Sequence, residues 1–449
     1  MAPSSPRNEI AEHDSMAPDI IAQLIDGTCP DPDGGASLRV DTRSVVIARS
    51  IAGMEGDLVQ ALGLGKSLAV VSDQTTHVIL ADRVEQALRG HAKVISVVLP
   101  RNPHADDETV KQVRAATAAA DALIAVGSGT INDLCKYASA QDRKPYLVFG
   151  TAPSMNGYTS LNAAITVKGH KKSLAAQAPL GVFLDLSILS AAPPRMIRSG
   201  LGDSLCRPTA QADWLLAHLL FDLPYRTMPF ALLAGDEAEL FATADAVMAG
   251  DHSAMERLVR TLLLSGFGTA ICGNSLPASQ GEHLISHYAD MLPDPGRPFV
   301  FHGEQIGVTT LTSARLQEHM LRGPAPILLA NTDSEADFVR RFGPALGPSC
   351  WKEFAQKRLA NGPLEAVNAR IAANWPRISA AISGVTLPSE TLKQVLCRAG
   401  APTAHADLGW SRGFYEAAVR HAREIRNRYT FFDLAADAGS LDGLIAKVI

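Results

Sequence analysis

The sequence predicts an α/β N-terminal domain with a parallel, Rossmann-like sheet, followed by an all-α C-terminal domain. Three observations predict it. Between about residues 38 and 190, short β-branched apolar runs alternate with amphipathic stretches. These runs are nearly continuous in apolar character, which is what a parallel strand needs when helices cover both faces of its sheet. After roughly Pro194 the β-rich runs vanish, and Ala/Leu/Arg-rich helical periods continue to the end.

Taken in order, residues 1–36, ending in DPDGG, read as a flexible or loosely docked extension. Residues 37–194 then carry six strand-like runs: SVVIA, SLAVVSD, KVISVVLP, DALIAVG, PYLVFG and GVFLD. Segments such as ADRVEQALRG and DDETVKQVRAATAAA supply the helices between them. Residues 195–449 form the helical domain. Its longest apolar stretch, WLLAHLLFDLPYRTMPFALLAG, is broken by Asp222, Pro224, Arg226 and Pro229, so it reads as buried helices and a turn, not a membrane span.

Lys and Arg number 41 against 46 Asp and Glu, a net charge of −5. No basic run points to nucleic acid; the clusters Lys168 to Lys172 and Arg420 to Arg428 read as solvated helix faces or as part of an anion pocket, the solvated reading being the commoner for charge runs. Six scattered cysteines without a CxxC pair argue against a disulfide framework and a structural zinc knuckle. The N-terminus lacks the apolar core of a signal peptide. A reduced cytoplasmic protein without membrane or nucleic-acid partners is expected.

Two loops mark a nucleotide site. DALIAV leads into Gly127-Ser128-Gly129, and a helix starting near Thr130 aims its N–H groups at whatever occupies that turn. The arrangement suits a pyrophosphate, although the third glycine of a dinucleotide fingerprint is missing and a ligand-free tight turn is the plainer reading. GLGKS at Gly63 to Ser67 fails as a phosphate loop, because it leads into a strand. The second loop, Thr151 to Ser160, brings the hydroxyls of Thr151, Ser154, Tyr158, Thr159 and Ser160 to the carboxyl end of the sheet. Asp73 ends the second strand, placed either to bond a ribose hydroxyl or to cap the next helix.

Histidines and an acid mark a metal site. His283 and His287 lie one helical turn apart, His302 opens a second segment, and Asp203 sits in GLGDSLCRPTAQADW. Imidazoles and a carboxylate from separate helices are the donors of an open catalytic divalent-metal shell. Glu282 precedes His283, which excludes a zincin protease, whose general-base Glu follows the first His. The competing assignments are a helix cap near Ser204 for Asp203, a helix contact or solvated face for Asp213, and core packing for Trp214.

Together GSGTINDLCKY, TAPSMNGYTS, the Lys171-Lys172 stretch, GLGDSLCRPTAQADW, GEHLISHYADM, HGEQIGV and REIRNRYT resemble the sn-glycerol-1-phosphate dehydrogenases. These belong to the dehydroquinate-synthase-like and iron-dependent alcohol dehydrogenase superfamily. The resemblance spans about residues 40 to 435. It implies NAD- or NADP-linked interconversion of dihydroxyacetone phosphate and glycerol 1-phosphate, with one divalent ion, Zn²⁺, Ni²⁺ or Fe²⁺, and a homo-oligomer.

By resemblance the metal ligands are Asp203, His283 and His302. Gly127, Ser128, Gly129, Thr130, Ile131, Thr151, Ser154 and Ser160, with Asp73, meet the coenzyme, and His287 faces the substrate as proton relay. Two departures touch the substrate wall: Asn156 stands where the family has Asp, and Arg207-Pro208 where it has Lys-Tyr. Both Asn156 and Arg207 are therefore expected at the substrate, and a related polyol phosphate or other small alcohol fits as well. The same scaffold also supports NAD-retaining cyclisation of sugar phosphates.

Overall fold

A computed structural model describes residues 19–167, 170–292 and 294–449. The six apolar runs form one parallel sheet: β1 (Ser44–Ala48), β2 (Ser67–Asp73), β3 (Lys93–Leu99), β4 (Ala122–Gly127), β5 (Tyr146–Gly150) and, after a hairpin, β8 (Gly181–Asp185). Their order across the sheet is β1-β8-β5-β4-β2-β3. The central strands β4 and β5 are buried along their whole length, as strands covered on both faces must be. Each aliphatic side chain so buried contributes about 1.5–3 kcal/mol.

From β2 the chain steps outward to β3, then returns past β2 to β4 and runs the other way. The reversal opens a crevice at the carboxyl ends of β2 and β4, where open α/β sheets bind ligands. Asp73 and Gly127 end those two strands. Gly127 pairs with Gly150 at the end of β5, so the loop beginning at Thr151 lies beside the glycine turn.

The sequence reading missed an antiparallel hairpin of β6 (Asn162–Val167) and β7 (His170–Ala175). Short strands with one polar face carry no continuous apolar run, so periodicity overlooks them. Lys172 consequently sits exposed on β7 rather than on a helix; residues 168 and 169 lie outside the described residues. The other basic cluster is also corrected. Arg423 is 7% exposed and pairs with Asp433 and Asp437, both at 3.3 Å.

After Asp185 every described element is helical. The two halves share one apolar cluster, which runs from Val71, Leu123 and Val148 on the sheet to Leu201, Leu262 and Leu311 on the helices. The N-terminal extension likewise departs from expectation. Residues 1–18 lie outside the described residues, but helix Ile20–Asp26 buries Ile21 and Leu24 against Leu264 and Phe267. Asp33 then accepts hydrogen bonds from Thr227 N and Met228 N. The polar turn DPDGG is therefore an anchor, because its acids find donors on the helical half.

Candidate functional site

Three helices deliver the acid and the histidines. Asp203 lies in the last turn of helix Pro194–Ser204, which starts on a proline, and so is not a helix cap. His283 and His287 project from helix Gly281–Met291, whose first N–H is held by Asp213 Oδ2 at 3.0 Å. His302 opens helix His302–Arg322, where Glu304 accepts the Phe301 N–H at 2.9 Å and an Arg195 ion pair at 2.7 Å.

The structure brings one donor atom each from Asp203, His283 and His302 within 4.8 Å of one another. Asp203 Oδ1 lies 3.7 Å from His283 Nε2 and 3.9 Å from His302 Nε2. A tetrahedral ion with bonds of about 2.0–2.2 Å holds its donors roughly 3.4 Å apart, so the spacing fits a divalent cation. The chemistry fits as well: among the described residues Asp203 Oδ1 is buried without a hydrogen-bond partner, a costly state for a carboxylate oxygen unless a cation takes it.

Asp203 Oδ2 is held separately, by the Asn156 N–H at 2.8 Å. Burial pushes the Asp203 carboxyl above its ordinary pKa, Glu282 adds to the rise, and His283 and the Asn156 N–H oppose it. Access is one-sided. The side chains of Asp203 and His283 are 0% and 5% exposed, whereas His302 keeps 31%, so the cluster opens past His302. The His287 ring lies 6.3 Å from that of His302 and nearly parallel to it at 14°, within reach of a small ligand at the opening.

One contributor escaped the sequence reading. Glu282, fully buried, takes His283 Nδ1 at 2.9 Å while also accepting from Gln280 N and Thr209 Oγ1. Burial alone would raise its pKa, but these bonds and the His283 charge lower it. A carboxylate on Nδ1 fixes the tautomer that leaves the Nε2 lone pair facing Asp203, the arrangement that orients metal-binding histidines. The signal was the acid directly before His283, which served in the sequence only to exclude a protease.

On the nucleotide side, helix Gly129–Asp142 follows β4, and its first intrahelical bond runs from Asn132 N to Ser128 O at 3.0 Å. The N–H groups of Gly129, Thr130 and Ile131 precede that bond and point out of the helix end. Gly127 serves packing first: a Cβ there would lie 2.7 Å from Ile131 Cβ. The Ile131 side chain belongs to the core, so only its backbone can meet a ligand. Asp73 does cap the following helix, through Thr75 N at 2.7 Å and Thr76 N at 3.0 Å.

The second loop spends more of its hydroxyls on backbone carbonyls of the protein than expected. Tyr158 donates to Ala152 O, Thr159 to Leu263 O, and Ser160 to Gly157 O and Asn162 O. Thr151 and Ser154 remain without a side-chain acceptor among the described residues. Arg207, which lines a cavity together with Asp203, already has its donors engaged. Its guanidinium forks onto Glu237 and donates to Gln211 Oε1 at 2.8 Å, so the phosphate-shaped fork is already filled. Asp213 sits at a buried helix contact and Trp214 in the core, donating to Pro224 O.

Residues 46–193 match the family model described as iron-containing alcohol dehydrogenase. The chain is 32% identical to a glycerol-1-phosphate dehydrogenase, NAD(P)+, of Geobacillus stearothermophilus over 330 residues, 73% of this chain and 74% of that protein. It is also 32% identical to a protein of the same name from Pyrococcus furiosus, over 61% of this chain and 78% of the other. Among solved structures, glycerol dehydrogenase from Schizosaccharomyces pombe superposes with a TM-score of 0.60 at 15% identity, covering 90% of each chain. A probable glycerol dehydrogenase from Sinorhizobium meliloti gives 0.59 at 16% identity, covering 91% of this chain and 98% of that one.

Proposed function

Because the chain belongs to the family of glycerol-1-phosphate dehydrogenases, we propose that it interconverts dihydroxyacetone phosphate and sn-glycerol 1-phosphate, or a closely related polyol phosphate. It is a metal-dependent, NAD(P)-linked oxidoreductase. The observation that carries the site assignment is the convergence of Asp203, His283 and His302 around an unpartnered carboxylate oxygen, opening beside His287.

In this reading those three residues hold the divalent ion, which when bound supplies Lewis acidity toward the C2 oxygen. Glu282 keeps His283 in the binding tautomer and Asn156 N–H keeps Asp203 turned toward the cluster. His287, at the open side, holds the proton that the C2 oxygen gains in reduction and loses in oxidation. The glycine turn and the loop at Thr151 would present N–H groups and hydroxyls to the dinucleotide at the strand ends, and the nicotinamide, when bound, would supply or accept the hydride. The Asn156 amide offers substrate a donor and an acceptor in place of a charge.

The test pairs polyol phosphates and small alcohols with NAD⁺ and NADP⁺, and dihydroxyacetone phosphate with NADH and NADPH, on full-length protein loaded with Zn²⁺, Ni²⁺ or Fe²⁺, read by nicotinamide absorbance. Dihydroxyacetone phosphate should turn over, and His302→Ala should lose both bound metal and turnover. Full activity in a chelated sample would refute metal catalysis. Asn156→Asp separates the substrate readings: a large gain with dihydroxyacetone phosphate marks a substrate that has drifted, and no change marks a tolerant position.

A further inference from the structure

We infer that Lys136 is a positioning residue that ties the nucleotide turn to the metal carboxylate, so that coenzyme and metal bind cooperatively. Lys136 sits on helix Gly129–Asp142, two turns after the glycine turn, and is 0% exposed. Its ammonium reaches into the second loop and donates to Gly157 O, to Ser160 Oγ at 3.1 Å and to Asn162 O at 3.3 Å. Three acceptors use all three of its donors.

The segment so gathered begins one residue after Asn156, whose N–H holds Asp203 Oδ2 at 2.8 Å. One short path therefore runs from the helix that opens at Gly129, through the Lys136 ammonium and Gly157, to the carboxylate of the metal cluster. Elsewhere the loop is pinned to the helical half, by Thr159 to Leu263 O at 2.7 Å and by Ser199 Oγ to Ser154 O at 2.9 Å. Lys136 ties it from the nucleotide side, beside the Tyr158 hydroxyl on Gly127 O at 3.4 Å and Thr151 N on Gly127 O at 3.1 Å. Burying an ammonium is costly, and burial lowers its pKa to about 8, so a leucine or methionine there would be the cheaper core residue. The cost is offset by the loop geometry that only a long donor imposes.

This inference rests on the proposed metal role of Asp203 and coenzyme role of the glycine turn. Coupling between two sites is reciprocal, so whatever tightens the loop for one ligand tightens it for the other. The experiment measures Zn²⁺ affinity of full-length protein by competition with a chromophoric chelator, with and without NAD⁺, for the natural chain and Lys136→Met. NAD⁺ should tighten Zn²⁺ severalfold in the natural chain. Lys136→Met should weaken Zn²⁺ by about tenfold, the scale of outer-shell effects, and abolish the NAD⁺ dependence.

A purely structural lysine would lower the melting temperature while leaving the Zn²⁺ affinity of the folded protein and its NAD⁺ response unchanged; that result overturns the inference. Should Lys136→Met not fold, Ser160→Ala removes one of the three acceptors and should show a smaller loss of the same coupling. An unaltered response there overturns it equally. If the natural chain binds no Zn²⁺, or if Asp203→Asn binds it as tightly as the natural chain, the metal assignment itself fails; loss of Zn²⁺ binding in Asp203→Asn upholds that assignment and leaves the Lys136 coupling to be judged on its own.

Discussion

His283 is made a ligand by the residue before it. An imidazole alone offers either nitrogen, and the Glu282 carboxylate on Nδ1 decides which one faces Asp203. Glu282→Gln keeps the shape but removes the charge and places an amide NH₂ among three donors. Metal affinity should fall about 10–100-fold while the protein remains folded, as checked by chelator competition and thermal melting. Unchanged affinity would reduce Glu282 to a packing group. At this scale the ligand types were legible, because histidine and aspartate announce their chemistry. Glu282 and Lys136 were not, since an acid beside a histidine and a lysine within DLCKYASA resemble ordinary helix residues.

Between elements, the cluster depends on how closely two helices cross. Helix Pro194–Ser204 meets helix His302–Arg322 at Gly303, where an added Cβ would lie 1.7 Å from Ser199 O. The same crossing is fixed by the Gly303 N–H on Ser199 Oγ at 3.1 Å. Backbone meets backbone there, so no side chain can swing away. Gly303→Ala should cost about 1–3 kcal/mol or more and part Asp203 from His302, lowering both melting temperature and metal content. Gly362→Ala, at a helix start with nothing within 4 Å, should do neither. Equal behaviour of the two variants would show that the crossing tolerates a side chain. The six sheet strands were legible as apolar runs, whereas the β6–β7 hairpin was hidden by its polar face.

Across the whole molecule, Asp213 joins distant parts of the helical half. It accepts N–H bonds from Gly281 at 3.0 Å and Phe431 at 2.9 Å, and so fastens the starts of helices Gly281–Met291 and Phe431–Asp437. Burial, reinforced by Glu282, pushes its pKa up to about 8, although the hydrogen bonds from Phe431 N, Gly281 N and the Gln317 amide pull the other way. The unfolded value is about 3.9, so the folded state favours the protonated form. Its contribution is full below about pH 4 and is lost as pH rises toward the folded value. The melting temperature of the natural chain minus that of Asp213→Asn should therefore fall steadily from pH 5 to pH 8; a flat difference would mean that Asp213 stays in one charge state.

The N-terminal segment acts at the same scale. Ile21 and Leu24 are buried against the helical half, and Asp19 pairs with Arg260 at 2.6 Å. Removing residues 1–36 should forfeit about 3–6 kcal/mol from those two side chains alone, which thermal or urea unfolding would register. A freely tethered extension would leave stability untouched.

The sequence by itself determined the sheet, the change to helices near Pro194, the residue types of the metal cluster and the two loops at the strand ends. Those features are local: hydrophobic period and side-chain chemistry act over a few residues and survive being read one window at a time. Only the tertiary structure decided which donors share one cavity, that Arg207 is occupied by Glu237, that Glu282 orients His283, and that Lys136 reaches Gly157. Such pairings join residues far apart in the chain or turned toward each other by packing. Their energy exists only once the core has closed around them.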